Sequence, residues 1–158
     1  MEAATKQYTF VKGSREVVFN FCETMSAEHF TKPVEHFGRG SICSTHAHVA
    51  DTYIHWIGKF GLQKEIEYLN PKTVNSVDAL RREFIKVNKL IEEFFEKFYD
   101  DSDELLERNI PDRGKVGFSP LKLFTHVITH EFHHKGQMMS MARINGYTPP
   151  DTDLIRLD

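Results

Sequence analysis

Apolar residues recur along this chain at intervals of three and four, the spacing of helices with one buried face, in four long segments. The first runs from about Ser14 to about Val34: Val17, Val18, Phe21, Cys22 and Met25 share a face, Ser14-Arg15-Glu16 makes a polar start, and the segment ends near Pro33. After the linker Phe37-Gly-Arg-Gly40, the second runs from Ser41, a sensible N-cap, to Phe60 or slightly beyond, with Gly61 as its stop. The third spans roughly Ser76 to Tyr99, and its stripe of Leu80, Phe84, Val87, Leu90, Ile91, Phe94, Phe95 and Phe98 is wide enough to be core. The fourth opens at Ser119-Pro120, an N-cap followed by proline at the first helical position, and continues to about Ile144, where Asn145-Gly146 ends it. The tail from Tyr147 contains Pro149-Pro150 and cannot continue a helix.

Between the third and fourth segments, Ile110-Pro-Asp-Arg-Gly114 has the composition of a turn, and Lys115-Val-Gly-Phe118 reads as a short strand or extended connector. No repeat, low-complexity block or second linker interrupts the 158 residues, so positions 1–158 read as one domain. Four helices of this length with modest connections predict an all-α four-helix bundle with a short extended connector before its last helix.

Composition narrows the function classes. A net charge of −3 gives no reason to expect a nucleic-acid partner, and no stretch approaches the ~18 apolar residues of a membrane span. The first residues, MEAATKQYTFVKGSREVV, lack the apolar run of a secretory signal. Cys22 and Cys43 have no CxxC spacing and read as buried small hydrophobes, which makes a reducing cytoplasm the expected setting.

The histidines carry the chemistry. Of nine, His46, His48, His55, His126, His130, His133 and His134 fall in the second and fourth segments alone. Residues four apart on a helix lie ~40° apart around its axis, so His130 and His134 can aim two imidazoles at one point, a half-site for a divalent ion. A neighbouring helix must supply the third ligand. His126, one turn earlier, can ligate or stand behind the ion, whereas His133 points away and reads as a polar contact. The run His130-Glu131-Phe132-His133-His134 also satisfies HExxH, with Glu131 as a potential base. No Glu follows Glu131 and no His follows His134, so the third ligand of either peptidase pattern is missing. Neither serine nor cysteine forms a nucleophile constellation.

The run Leu123-Phe-Thr-His-Val-Ile-Thr-His-Glu-Phe-His-His-Lys-Gly-Gln137 resembles the fourth-helix signature of the DinB/YfiT-like metal-binding superfamily. His48-Val-Ala-Asp51 resembles its second-helix signature, and Gly146-Tyr-Thr-Pro-Pro-Asp-Thr-Asp-Leu154 its tail. The resemblance implies an up-down-down-up bundle, often a homodimer, with a divalent ion on His48, His130 and His134. It makes Zn²⁺ or Ni²⁺ the first expectation, with Mn²⁺ or Fe²⁺ as alternatives. Relatives include thiol-dependent S-transferases and isomerases, which implies a metal-dependent transferase or hydrolase acting on a small molecule, with a low-molecular-weight thiol as co-substrate. The alternative is a non-catalytic metal-binding protein of the stress response, acting through dimerisation or partners. Glu131 is expected to accept a proton or, more commonly for such a residue, to orient a ligand's ring. Two departures stand out: Lys135 replaces the usual arginine, and His46 stands where an apolar residue is usual. Periodicity favours His46 as third ligand, because it lies on the stripe of Ile42, Val49, Tyr53, Ile57 and Phe60; the family register favours His48, and the register is followed here. His55 is expected to be exposed.

Overall fold

The computed structural model describes residues 2–101 and 103–155. Its long elements are α1 (Glu2–Glu23), α3 (Ile42–Tyr53) continued by π-helical turns (Ile54–Gly61), α4 (Val77–Lys97) and α5 (Pro120–Ile144). A short α2 (Ala27–Thr31) follows α1, and the hairpin β1 (Leu106–Ile110) and β2 (Gly114–Phe118) precedes α5. The described residues are therefore mostly helical, with one small sheet.

The caps follow side-chain chemistry. Ser41, Ser76 and Ser119 each accept a hydrogen bond from the backbone N–H three residues on, and Ser41 with Ser44 closes a capping box. Pro120 occupies the first turn of α5, where its missing N–H has no helical partner to lose.

Three expectations change. The first helix begins near the amino terminus rather than at Ser14, because Ala4, Tyr8, Val11, Arg15 and Val18 form one continuous buried stripe. It also stops at Glu23, and Ser26 caps the separate α2 by accepting from His29 N. Second, the segment from Ser41 to Gly61 is not one α-helix. After Tyr53 it loosens into π turns, in which Leu62 N donates to Ile57 O five residues back. Gly61 is required there, since a Cβ would lie 2.5 Å from the Phe94 ring of α4. Third, the chain is not purely helical. The expected connector Lys115–Phe118 is β2, paired antiparallel with β1 in the register Leu106 to Phe118 and Ile110 to Gly114. A positive φ at Asp112 and Gly114 closes the turn.

The core lies where α1, α3, α4 and α5 meet. α3 packs on α4 and α5, α1 on the same two helices, and the π turns on α4 and α5. Phe19, Phe94, Phe124, Tyr53 and Ile91 are among its fully buried side chains. Cys22 and Cys43 are free and buried. Among the described residues no helix is long and apolar enough to cross a membrane.

Candidate metal centre

α3 and α5 pack face to face and bring His48, His130 and His134 together. One ring nitrogen from each lies within 4.8 Å of the other two, and among the described residues no other group of three or more His, Cys, Asp or Glu does so. The Nε2 atoms of His130 and His134 are 3.1 Å apart. The three rings stand edge to face, with centroids 4.4 Å apart for His130 and His134, and 5.0 and 4.9 Å from His48 to each of them. Two imidazoles bound tetrahedrally at about 2.0–2.1 Å hold their nitrogens roughly 3.3 Å apart. The His130–His134 spacing fits that donor set.

The protonation states fit as well. Burial, then the charge of Arg39, then His134 push the His48 pKa down to about 4. Burial and the neighbouring rings of His134, His48, His126 and His133 push His130 down to about 4, and burial also lowers His134. All three rings are therefore neutral near pH 7, the form in which imidazole offers a lone pair.

Gln137 sets the ring of His134. Its Oε1 lies 2.8 Å from His134 Nδ1 and its amide nitrogen 3.1 Å from His133 Nε2. The arrangement that satisfies both has Nδ1–H donating to the amide oxygen, which leaves the His134 Nε2 lone pair facing the other two rings. Sequence reading assigned Gln137 no role, although it lies three residues after a ligand candidate, the spacing at which helical side chains meet. His130 lacks such a partner: its Nδ1 is the one buried side-chain nitrogen or oxygen, among the described residues, without a hydrogen bond.

The remaining candidates lie elsewhere. His46 is 2% exposed on the core side of α3, stacked on Phe19 at 4.9 Å, with Cys22 Sγ 3.9 Å from its Nε2. It is not brought to the cluster, and periodicity placed it correctly on a stripe that is core. His126 is exposed, its ring 5.7 Å from that of His130 and 5.4 Å from Trp56. His133 is exposed and holds Gln137. His55 is half-buried rather than exposed, with its Nδ1 2.6 Å from the Tyr68 hydroxyl.

Glu131 follows a ligand candidate in the chain but turns inward. Arg15 donates from Nε to Oε1 at 2.7 Å and from Nη2 to Oε2 at 2.8 Å, and the Tyr53 hydroxyl donates to Oε2 at 2.6 Å. No hydrogen bond joins it to the three rings among the described residues. Asn88 Oδ1 completes the network by accepting from Tyr8 and Arg15. Beside it, the buried Lys135 ammonium donates to Ser14 Oγ at 3.1 Å and Thr152 O at 2.5 Å, tying the tail to α1 and α5.

A sequence profile of the DinB family matches residues 1–158. The chain belongs to the DinB family. The fold agrees: a solved structure of a DinB-like protein from Bacillus cereus ATCC 10987 superimposes with a TM-score of 0.72 at 18% identity, covering 96% of each chain. No curated protein matches the sequence. Within this DinB-family chain, the three convergent histidines are the group suited to a metal ion.

Proposed function

We propose that this DinB-family protein binds a divalent ion through His48, His130 and His134 and uses it as a small-molecule enzyme of the thiol S-transferase or hydrolase type. The observation that carries the reading is the meeting of three neutral imidazoles from two helices, two of them with Nε2 atoms 3.1 Å apart. His48, His130 and His134 would hold such an ion, which would supply Lewis acidity to a substrate at the cluster. The chain's own residues do the rest. Gln137 fixes the tautomer and direction of His134. The Arg15–Glu131–Tyr53 network holds α1, α3 and α5 in the register that lets His48 face His130. We infer that Glu131 acts through this positioning and not by accepting a proton, because both its oxygens are taken.

All-imidazole donors of this kind suit Zn²⁺ or Ni²⁺. The packing of α1, α3 with its π turns, α4 and α5 supports reading the architecture as the family's up-down-down-up four-helix bundle. The two free, buried thiols suit a reducing cytoplasm.

The test is elemental analysis of the purified chain, followed by turnover of small electrophiles with and without added thiol. One ion per chain and thiol-dependent or hydrolytic turnover are expected. Absence of stoichiometric Zn, Ni, Mn or Fe overturns the reading. An ion bound with no turnover in either arm leaves metal binding and removes catalysis.

A further inference from the structure

We propose that the hollow between the π turns, β2 and the start of α5 is a subsite for an aromatic carboxylate, alongside the three-histidine cluster. The hollow is about 230 Å³ and is lined by Trp56, Arg113, Phe118, Lys122, Leu123 and His126. Its floor is aromatic. Trp56 meets Phe118 edge-on at 5.6 Å, and Phe60 packs beneath both, 5.7 Å from Trp56 and 5.5 Å from Phe118. Trp56 and Phe118 remain only half-buried, so they present ring surface to an occupant.

The rim has the opposite character. Arg113 and Lys122 are exposed, and neither has a carboxylate partner among the described residues. Lys122 Nζ lies 5.3 Å from the Phe118 ring centre, placing its charge over the floor. An apolar floor with two unneutralised cations at its edge complements a flat ring that bears an anion. The two cations of the rim repel a polyamine or a metal ion, and a neutral sugar would leave them without a counter-charge.

Location ties the hollow to the cluster. The His126 ring contacts Trp56 on one side, at 5.4 Å, and lies 5.7 Å from His130 on the other. Trp56 sits within the π turns, two turns of chain after His48. A π-helical stretch rotates side chains relative to an α-helix and is found disproportionately at functional sites. The subsite thus accounts for three features that the ion leaves unexplained: the π turns, the hairpin before α5, and His126. Its role in holding a substrate rests on the proposed metal function, but its existence does not.

Trp56 is the sole tryptophan of the chain, so its emission reports the hollow directly. The experiment titrates phenylacetate, phenylacetamide and acetate into the purified protein, before and after chelation of divalent ions. Expected is a saturable change in Trp56 emission with phenylacetate, binding about fivefold weaker with the amide, and no change with acetate. The double variant Arg113→Gln, Lys122→Gln alters only exposed side chains, and it should bring the acid and the amide to parity. Equal responses to acetate and phenylacetate overturn the proposal, as does an acid preference that survives the double substitution. A response that vanishes on chelation also overturns it, since the anion would then be bound by the ion. If the chain takes up no ion yet the response persists, the metal reading fails and the subsite stands.

Discussion

His130 and Glu131 are neighbours in the chain yet belong to two unlike assemblies, on two faces of α5. One face gathers neutral imidazoles whose Nε2 atoms point at one another, and it leaves His130 Nδ1 buried without a partner. The other buries charges, and there both oxygens of Glu131 are bonded, by Arg15 and Tyr53. Burying polar groups is tolerated when they are paired and penalised when they are not. The paired groups of the inner network have their partners within the protein, whereas the two Nε2 atoms 3.1 Å apart, with the His48 ring beside them, form a group suited to holding a cation. The contrast separates a structural face from the face proposed to bind an ion, without reference to any relative.

The sharpest break of this contrast removes a ligand. Loss of an outer partner alone lowers metal affinity about 10–100-fold, so loss of a ligand exceeds that. His134→Ala, His130→Ala and His48→Ala should each abolish tight ion binding in competition with a zinc-sensitive dye, while His46→Ala should leave it within about twofold. If His46→Ala abolishes binding and His48→Ala spares it, the assignment of the two faces of α3 is reversed.

The next break strands a charge on the structural face. Arg15→Ala leaves the Glu131 carboxylate buried without its cation, which for buried pairs destabilises by about 3–5 kcal/mol. Urea denaturation should show that loss, and Glu131→Gln, which strands the buried Arg15 guanidinium in turn, should show one of the same order. Equal stability of Arg15→Ala and the parent chain would mean that the ion pair does not hold the helices in register.

Much of this was legible in the chain before any fold. The caps Ser41 and Ser119, Pro120 and the stripe of α4 specify their own elements, because cap chemistry and periodicity are local. The ion-ligand candidates on α5 were legible for the same reason, since His130 and His134 need only helical spacing to meet. His48 was legible only through the family register: on periodicity alone His46 was the better candidate, because periodicity finds the buried stripe and a site need not lie on it. β1 was missed, since Leu106-Glu-Arg-Asn-Ile110 carries few apolar residues and buries only Leu106 fully. The partners of Glu131 were also out of reach: Arg15 lies 116 residues away and Tyr53 lies 78 away, so only packing reveals them.

Acid sharpens the comparison further, with a smaller effect. Burial, then the charge of Arg15, pushes the His46 pKa down to about 3, so folding holds this ring neutral. The unfolded chain protonates it below about pH 6.5. Between those values the unfolded state binds the extra proton, so the stabilisation is complete above about pH 6.5 and drains away as pH falls toward 3. Each such histidine contributes a slope of about 1.4 kcal/mol per pH unit. His48 and His130, both at about 4, act in the same direction. Urea midpoints measured from pH 7 to pH 4.5 in metal-free protein should fall, and His46→Leu should flatten the fall by one proton's share. An unchanged slope in His46→Leu would place that ring in contact with water.

The smallest effect tests how far the binding face is prearranged. Gln137 is the residue that fixes the direction of His134, through one hydrogen bond of 2.8 Å, while His130 has no comparable support. Gln137→Ala frees the His134 ring to rotate and to exchange tautomers, but it leaves all three ligands in place. Affinity for Zn²⁺ should therefore drop by about tenfold, the lower end of what an outer partner contributes. Gln137→Glu offers a stronger acceptor to the same Nδ1–H and should bind at least as tightly as the parent chain. Because Gln137 is half-buried at the edge of the cluster, neither change should move the urea midpoint as Arg15→Ala does. If Gln137→Ala binds zinc as tightly as the parent, packing against His48 and His133 alone aligns His134, and the binding face is as fully determined by its neighbours as the structural one.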